Sequence, residues 1–212
     1  MSSLEERYPK LWAAADRVSI VVLGSLMFWL FSGLVVTMPA ALVALFVVVA
    51  PLFRGESGET FSRFWRSFRR SFGTALLLGL IDLVIGLVLY YDIQVLWHAG
   101  STFGRIAAYF FGSLGAVALM ANLYAWPLLA WYPQSLKGVL KRSLLMAAAH
   151  PFWALLGVIG SVLAVLALTM LPGPWVGLFF LFGPGLVAAI MGVAAWQPMK
   201  RYAPPEDEED GL

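Results

Sequence analysis

Apolar residues in this chain run on, uninterrupted by charge, over stretches far longer than a buried helix of a water-soluble domain needs. Residues 18–53 hold no charged side chain in 36 positions. That is too many for one helix across a hydrocarbon core of about 30 Å and enough for two short ones. Thr37-Met38-Pro39 is the natural break, because proline suits the first turn of a new helix and disfavours a helical residue before it. The pattern predicts helices over 18–37 and 39–53, the second short enough to sit tilted or re-entrant. Further spans are predicted over 73–96, 102–130, 143–171 and 175–196, the last two separated by the breaker Leu171-Pro172-Gly173-Pro174.

One stretch between the second and third spans has a different pattern. In FSRFWRSFRRSF, residues 61–72, Phe61, Phe64, Trp65, Phe68 and Phe72 fall within an arc of about 100° on a helix, opposite Arg63, Arg66, Arg69 and Arg70. Glu56 and Glu59 precede it, near the positive end of the helix dipole, with Ser57 or Thr60 as cap. An amphipathic helix over about 58–72 is predicted at the membrane interface, its arginines meeting anionic headgroups or a partner protein. Interleaved aromatics and arginines also suit single-stranded nucleic acid. Here the aromatics share one face and both ends are tethered to spans, so no nucleic-acid partner is expected.

Charge then orients the chain. With six spans, thirteen of the fourteen Lys and Arg residues fall on one side, and only Arg105 lies opposite. Basic residues are retained in the cytoplasm, so both termini are expected there. A five-span arrangement would place Lys200 and Arg201 on the other side. The expected fold is an all-α integral membrane protein: six transmembrane helices as three helical hairpins, with a cytoplasmic interfacial amphipathic helix between helices 2 and 3. Residues 1–17 form a cytoplasmic segment and 18–199 a single membrane domain. Residues 200–212, with the run Glu206 to Asp210, form a disordered acidic tail. Prolines 51, 127 and 198 recur near the inner end of each return helix, which fits either a degenerate repeat or coincidence.

Composition agrees: 61% hydrophobic and 12% charged residues, with mean hydropathy +0.83, leave too much apolar surface for a water-soluble fold. The first 17 residues are mixed in charge and no small-residue cleavage site follows the first apolar run, so no cleavable signal peptide is expected. Cysteine is absent, which excludes disulfides, thiolate metal sites and cysteine nucleophiles. There is no phosphate-binding glycine loop with its lysine, no HExxH and no nucleophile elbow. No catalytic residue, cofactor or metal site is expected.

Candidate chemistry is confined to polar residues inside the spans. Asp82 lies nine residues, about 14 Å, into the third span. If the following hairpin turns near Ser101 and Thr102, Asn122 lies opposite it, and His150 reaches a comparable depth. The three are a candidate intramembrane cluster, either a hydrogen-bonded contact that fixes helix register or a substrate or proton site. Trp12, Trp97, Trp126, Trp131, Trp175 and Trp196 fall near predicted interfaces and suit an aromatic belt. Gly112/Ala116, Gly157/Ser161 and Gly160/Ala164 have the small-residue spacing that permits close helix packing.

The run FSRFWRSFRRSFGTALLLGLIDLVIGLVLYYD resembles the YesL-like family, small bacterial membrane proteins with a domain of unknown function. TMPAALVALFVVV and YAWPLLAWYPQSLKGVLKRSLLMA are similar to further stretches of that family. The resemblance implies six spans, the bacterial inner membrane, and genomic company with carbohydrate importers of the ATP-binding-cassette type. It implies no activity. Two function classes fit: a non-enzymatic accessory or interaction subunit associated with such an importer, or a small-solute carrier or channel acting as a homo-oligomer.

Overall fold

The computed structural model describes residues 9–54, 59–132, 135–170, 173 and 176–200. Among these, the regular structure is helical: α1 Pro9–Phe31, α2 Met38–Val49, α3 Pro51–Arg54, α4 Thr60–His98, α5 Thr102–Trp131, α6 Leu136–Ala149, α7 Pro151–Thr169 and α8 Val176–Met199. Five stretches are long and apolar enough to cross a membrane, namely Ala14–Phe31, Thr60–His98, Thr102–Trp131, Pro151–Thr169 and Gly177–Met199. The chain is a multi-pass membrane protein. The acidic tail and the Leu171-Pro172 and Pro174 breaker lie outside the described residues.

The first hairpin differs from expectation. Helix α1 ends at Phe31, before Ser32 and Gly33, and the Thr37 hydroxyl donates to the carbonyls of Phe31 and Leu34. Helix α2 starts at Met38 with Pro39 in its first turn, as the proline rule predicts. Its 12 residues rise only about 18 Å, short of the hydrocarbon thickness. Nor does α2 face lipid. Ala41, Val43, Ala44, Leu45, Phe46 and Val49 are fully buried, and α1, α4, α5 and α8 surround them. An apolar helix too short to span has become the centre of the bundle.

The interfacial helix over 58–72 is not a separate element. Residues 60–98 form one helix of 39 residues, about 58 Å long, with no break at Gly73. The change from basic-aromatic to apolar composition there carries no proline and no cap. Spacings of three and four residues continue the face through it, from Phe64, Phe68 and Phe72 to Ala75, Leu78 and Gly79. That face packs inward: Phe64 is buried, and the Phe31 ring lies 5.4 Å from Phe64 and 5.5 Å from Phe68. The residue that closes α1 thus meets the arginine-rich stretch, which the expected topology placed on the opposite side from the α1–α2 turn.

The predicted span 143–171 is also two helices. His150, with φ −132° and ψ 56°, separates α6 from α7. Its neighbour Pro151 explains the break, since proline pushes the preceding residue out of the helical region. Helix α6 takes up most of the basic connector, capped by Ser135, whose hydroxyl accepts from the Gly138 N–H at 3.3 Å.

Polar pins hold α1, α2, α5 and α8 together. In α8, Pro184 interrupts the backbone ladder, and the next N–H, of Gly185, donates to the Ser25 hydroxyl of α1 at 2.9 Å. A Cβ on Gly185 would come within 2.5 Å of the Val21 carbonyl oxygen, so only glycine admits this approach. At the other end of α8, the Arg54 guanidinium lies over the rings of Trp131 and Trp196, and the Trp131 indole N–H donates to the Phe46 carbonyl at 3.2 Å. Two of the tryptophans expected in an interfacial belt therefore tie α2, α3, α5 and α8 to one another.

Candidate functional site

Helices α4 and α5 run antiparallel from a turn at Gly100, where φ is +67°, and Ser101, whose hydroxyl caps α5 by accepting from Gly104 N–H. That register brings Asp82 of α4 opposite Asn122 of α5. The Asp82 carboxylate faces two hydrogen-bond donors of α5, the Asn122 amide and, one turn further along, the indole of Trp126. Asn122 Oδ1 is buried and has no hydrogen-bond partner. Trp126 was expected in the aromatic belt, but it is buried and belongs to this polar group. Its four-residue spacing from Asn122 is the signal that could have placed it there.

The group opens onto a groove of about 590 Å³ between α4 and α5, with Leu140, Ser143 and Leu144 of α6 at one end. Gly86, Gly112 and Gly115 line it, with the pair Asp82 and Asn122 among otherwise apolar walls. A Cβ placed on Gly86 or Gly112 would meet nothing within 4 Å. The small residues leave open space beside the backbone and are not filled by a neighbouring helix of the same chain.

His150 is elsewhere. Its carbonyl accepts from the Tyr124 hydroxyl at 3.1 Å, and it lines a separate groove of about 480 Å³ with Leu128, Arg142, Met146 and Met199. Asn122 and Tyr124 are two residues apart on α5, about 200° around the helix, so their faces diverge. Of the three residues expected to cluster, the structure joins Asp82 and Asn122 and places His150 on another flank.

The basic stretch divides similarly. Phe64, Trp65 and Phe68 pack against Phe31, Trp65 keeping one face exposed, whereas Phe61 is exposed. Arg69 lies 5.9 Å over the Trp65 ring, while Arg63, Arg66 and Arg70 occupy another flank of α4. Among the described residues, no three metal-ligating side chains come together.

Comparison with known proteins places this architecture in a family. Residues 20–93, which include α2, the basic stretch and Asp82, match the family described as "Protein of unknown function, DUF624". The uncharacterized protein YteU of Bacillus subtilis (strain 168) is similar, 30% identical over 169 residues that cover 75% of this chain and 68% of that protein. No solved structure matches. The chain belongs to the DUF624 family of proteins of unknown function.

Proposed function

We propose that this protein is a non-enzymatic accessory subunit of the bacterial inner membrane, which receives a transmembrane helix of a partner in the groove between α4 and α5. The partly buried Asp82 beside Asn122, lining the groove, carries this reading. An ionisable group at membrane depth is disfavoured by about 2.5 kcal/mol or more on insertion scales, and such groups face protein or a wet cavity. A helix laid over the groove shields the carboxylate from lipid. Gly86, Gly112 and Gly115 let the two backbones come close, as small residues do in membrane helix pairs.

The bundle centre supports the same reading. Helix α2 fills it with alanine, valine, leucine and phenylalanine, which leaves no wet path along the axis. In this arrangement the arginine-rich start of α4, the lysines of α6 and Lys200 face the cytoplasm, in keeping with the retention of basic residues there. The YesL-like resemblance suggests the partner, a membrane subunit of a carbohydrate importer of the ATP-binding-cassette type.

A second reading, a small-solute carrier or channel working as a homo-oligomer, is favoured by one observation: the groove is open on one side, where a second copy could close it over Asp82 and Asn122. Gly112→Leu with Ala116→Leu fills the groove without changing charge. Purified from its native host in mild detergent, the unaltered protein should bring importer subunits with it and the filled variant should not. Retention of those subunits by the filled variant refutes the docking site. Loss of self-association alone selects the oligomer.

A further inference from the structure

The groove between α4 and α5 has a definite length and a polar end. Its α4 wall runs from Leu78 to Leu89 at spacings of three and four residues, about 17 Å or three helical turns. Asp82 and Asn122 stand towards the end where α6 contributes Leu140, Ser143 and Leu144. The glycines lie on the other side of this pair, towards the turn at Gly100. Gly86 is one turn beyond Asp82, and Gly115 and Gly112 are about two and three turns beyond Asn122. The closest backbone approach available to a docked helix is therefore displaced from the polar pair in one direction.

The pair presents acceptors. Asn122 Oδ1 is buried and has no hydrogen-bond partner. The side chains that act on the Asp82 carboxylate are the Asn122 amide and the Trp126 indole, both neutral and both on α5. Among the described residues, no lysine or arginine lines the groove. A carboxylate beside an amide oxygen matches a ligand with several donors, no acceptor and positive charge. Lysine meets all three conditions, because its ammonium carries three N–H groups and no lone pair. Its unbranched stem also passes between apolar walls while the charge at its tip stays with a polar partner. Intramembrane acids and bases pair in this way across helices, since each offsets the desolvation of the other.

We propose that the transmembrane helix received by this groove carries a lysine within its span, whose ammonium donates to the Asp82 carboxylate and to Asn122 Oδ1. The same helix has small residues four and seven positions from that lysine, on the side towards the α4–α5 turn, where Gly86, Gly115 and Gly112 admit its backbone. The inference rests on the docking reading above and adds the chemistry of the occupant.

The experiment uses the full chain in phosphatidylcholine vesicles, with a donor dye on Phe103→Cys, an exposed position in a chain without cysteine. The probe is a leucine–alanine transmembrane peptide with uncharged ends, an acceptor dye, a single lysine, and alanines four and seven residues beyond it. Two further peptides have norleucine or glutamate in the lysine's place. Energy transfer should show the lysine peptide bound about tenfold or more tighter than the norleucine peptide, and the glutamate peptide no tighter than norleucine. Asp82→Asn should abolish the preference for lysine. Asn122→Ala, which keeps the carboxylate, should reduce it by about threefold and serves as the test if Asp82→Asn fails to fold. Equal binding of the lysine and norleucine peptides, both lost on Gly112→Leu/Ala116→Leu, would overturn the lysine and leave the docking groove standing. Glutamate bound as tightly as lysine would show neutral hydrogen bonding and overturn it too. Displacement of the peptide by unlabelled chain would put a second copy in the groove and overturn the proposal. Binding untouched by the filled groove, or no binding of any peptide, would overturn both the lysine and the docking site.

Discussion

Asp82→Ala tests the polar group at the floor of the α4–α5 groove. The carboxylate faces the donors of Asn122 and Trp126, so its removal takes an acceptor from both. Interhelical hydrogen bonds in membrane proteins contribute about 0.6 kcal/mol each, so the loss of two lowers stability by about 1.2 kcal/mol. Asn122→Ala removes one of those bonds together with the unpartnered Oδ1. It should therefore be milder than Asp82→Ala, and relief of the buried oxygen can bring it near zero. The double-mutant cycle isolates the Asp82–Asn122 term, expected at about 0.6 kcal/mol and at most about 1.7. Unfolding by sodium dodecyl sulfate from mixed micelles, followed by tryptophan fluorescence, measures each corner. Strict additivity of the two changes, with Asp82→Ala as stable as the unaltered protein, would refute the hydrogen-bonded group.

Three further outcomes follow from the packing. Gly185→Ala places a methyl against the Val21 carbonyl and the Ser25 hydroxyl and should destabilise by about 1–3 kcal/mol in the same assay, whereas Gly73→Ala, with open space around it, should be neutral or stabilising. Trp131→Phe removes the bond to the Phe46 carbonyl and shrinks the ring under Arg54, and should lower stability by about 1–2 kcal/mol. Because the chain has no cysteine, Phe31→Cys with Phe68→Cys can be joined by a short bis-maleimide without background. A crosslink is expected from the 5.5 Å ring separation, and its absence would contradict the placement of α1 against α4.

Local signals made some of this architecture legible in the sequence, and tertiary competition hid the rest. The Thr37-Met38-Pro39 break follows from proline stereochemistry, and α2 begins there. The adjacency of Asp82 and Asn122 follows from the register of a hairpin that turns at Gly100 and Ser101. The division expected at Gly73 rested on a change in composition, and composition does not end a helix when the packed face continues through it. The break at His150-Pro151 carried its own signal, the residue before a proline, but the long apolar run concealed it. That break also explains why a depth argument for His150 did not bring it to Asp82. The burial of α2 could not be read locally, because an apolar helix facing lipid and one enclosed by other helices have the same composition.

A photoreactive amino acid introduced at Gly112 or Leu119, in membranes of the native host, tests the docking proposal most directly. Both positions line the α4–α5 groove, whereas Val162 on α7 is exposed and lies outside it. The account predicts a covalent adduct with a transmembrane subunit of an importer from the groove positions, lost on Ala116→Leu and absent from Val162. The same adducts from all three positions, or none beyond lipid from the groove, would contradict it.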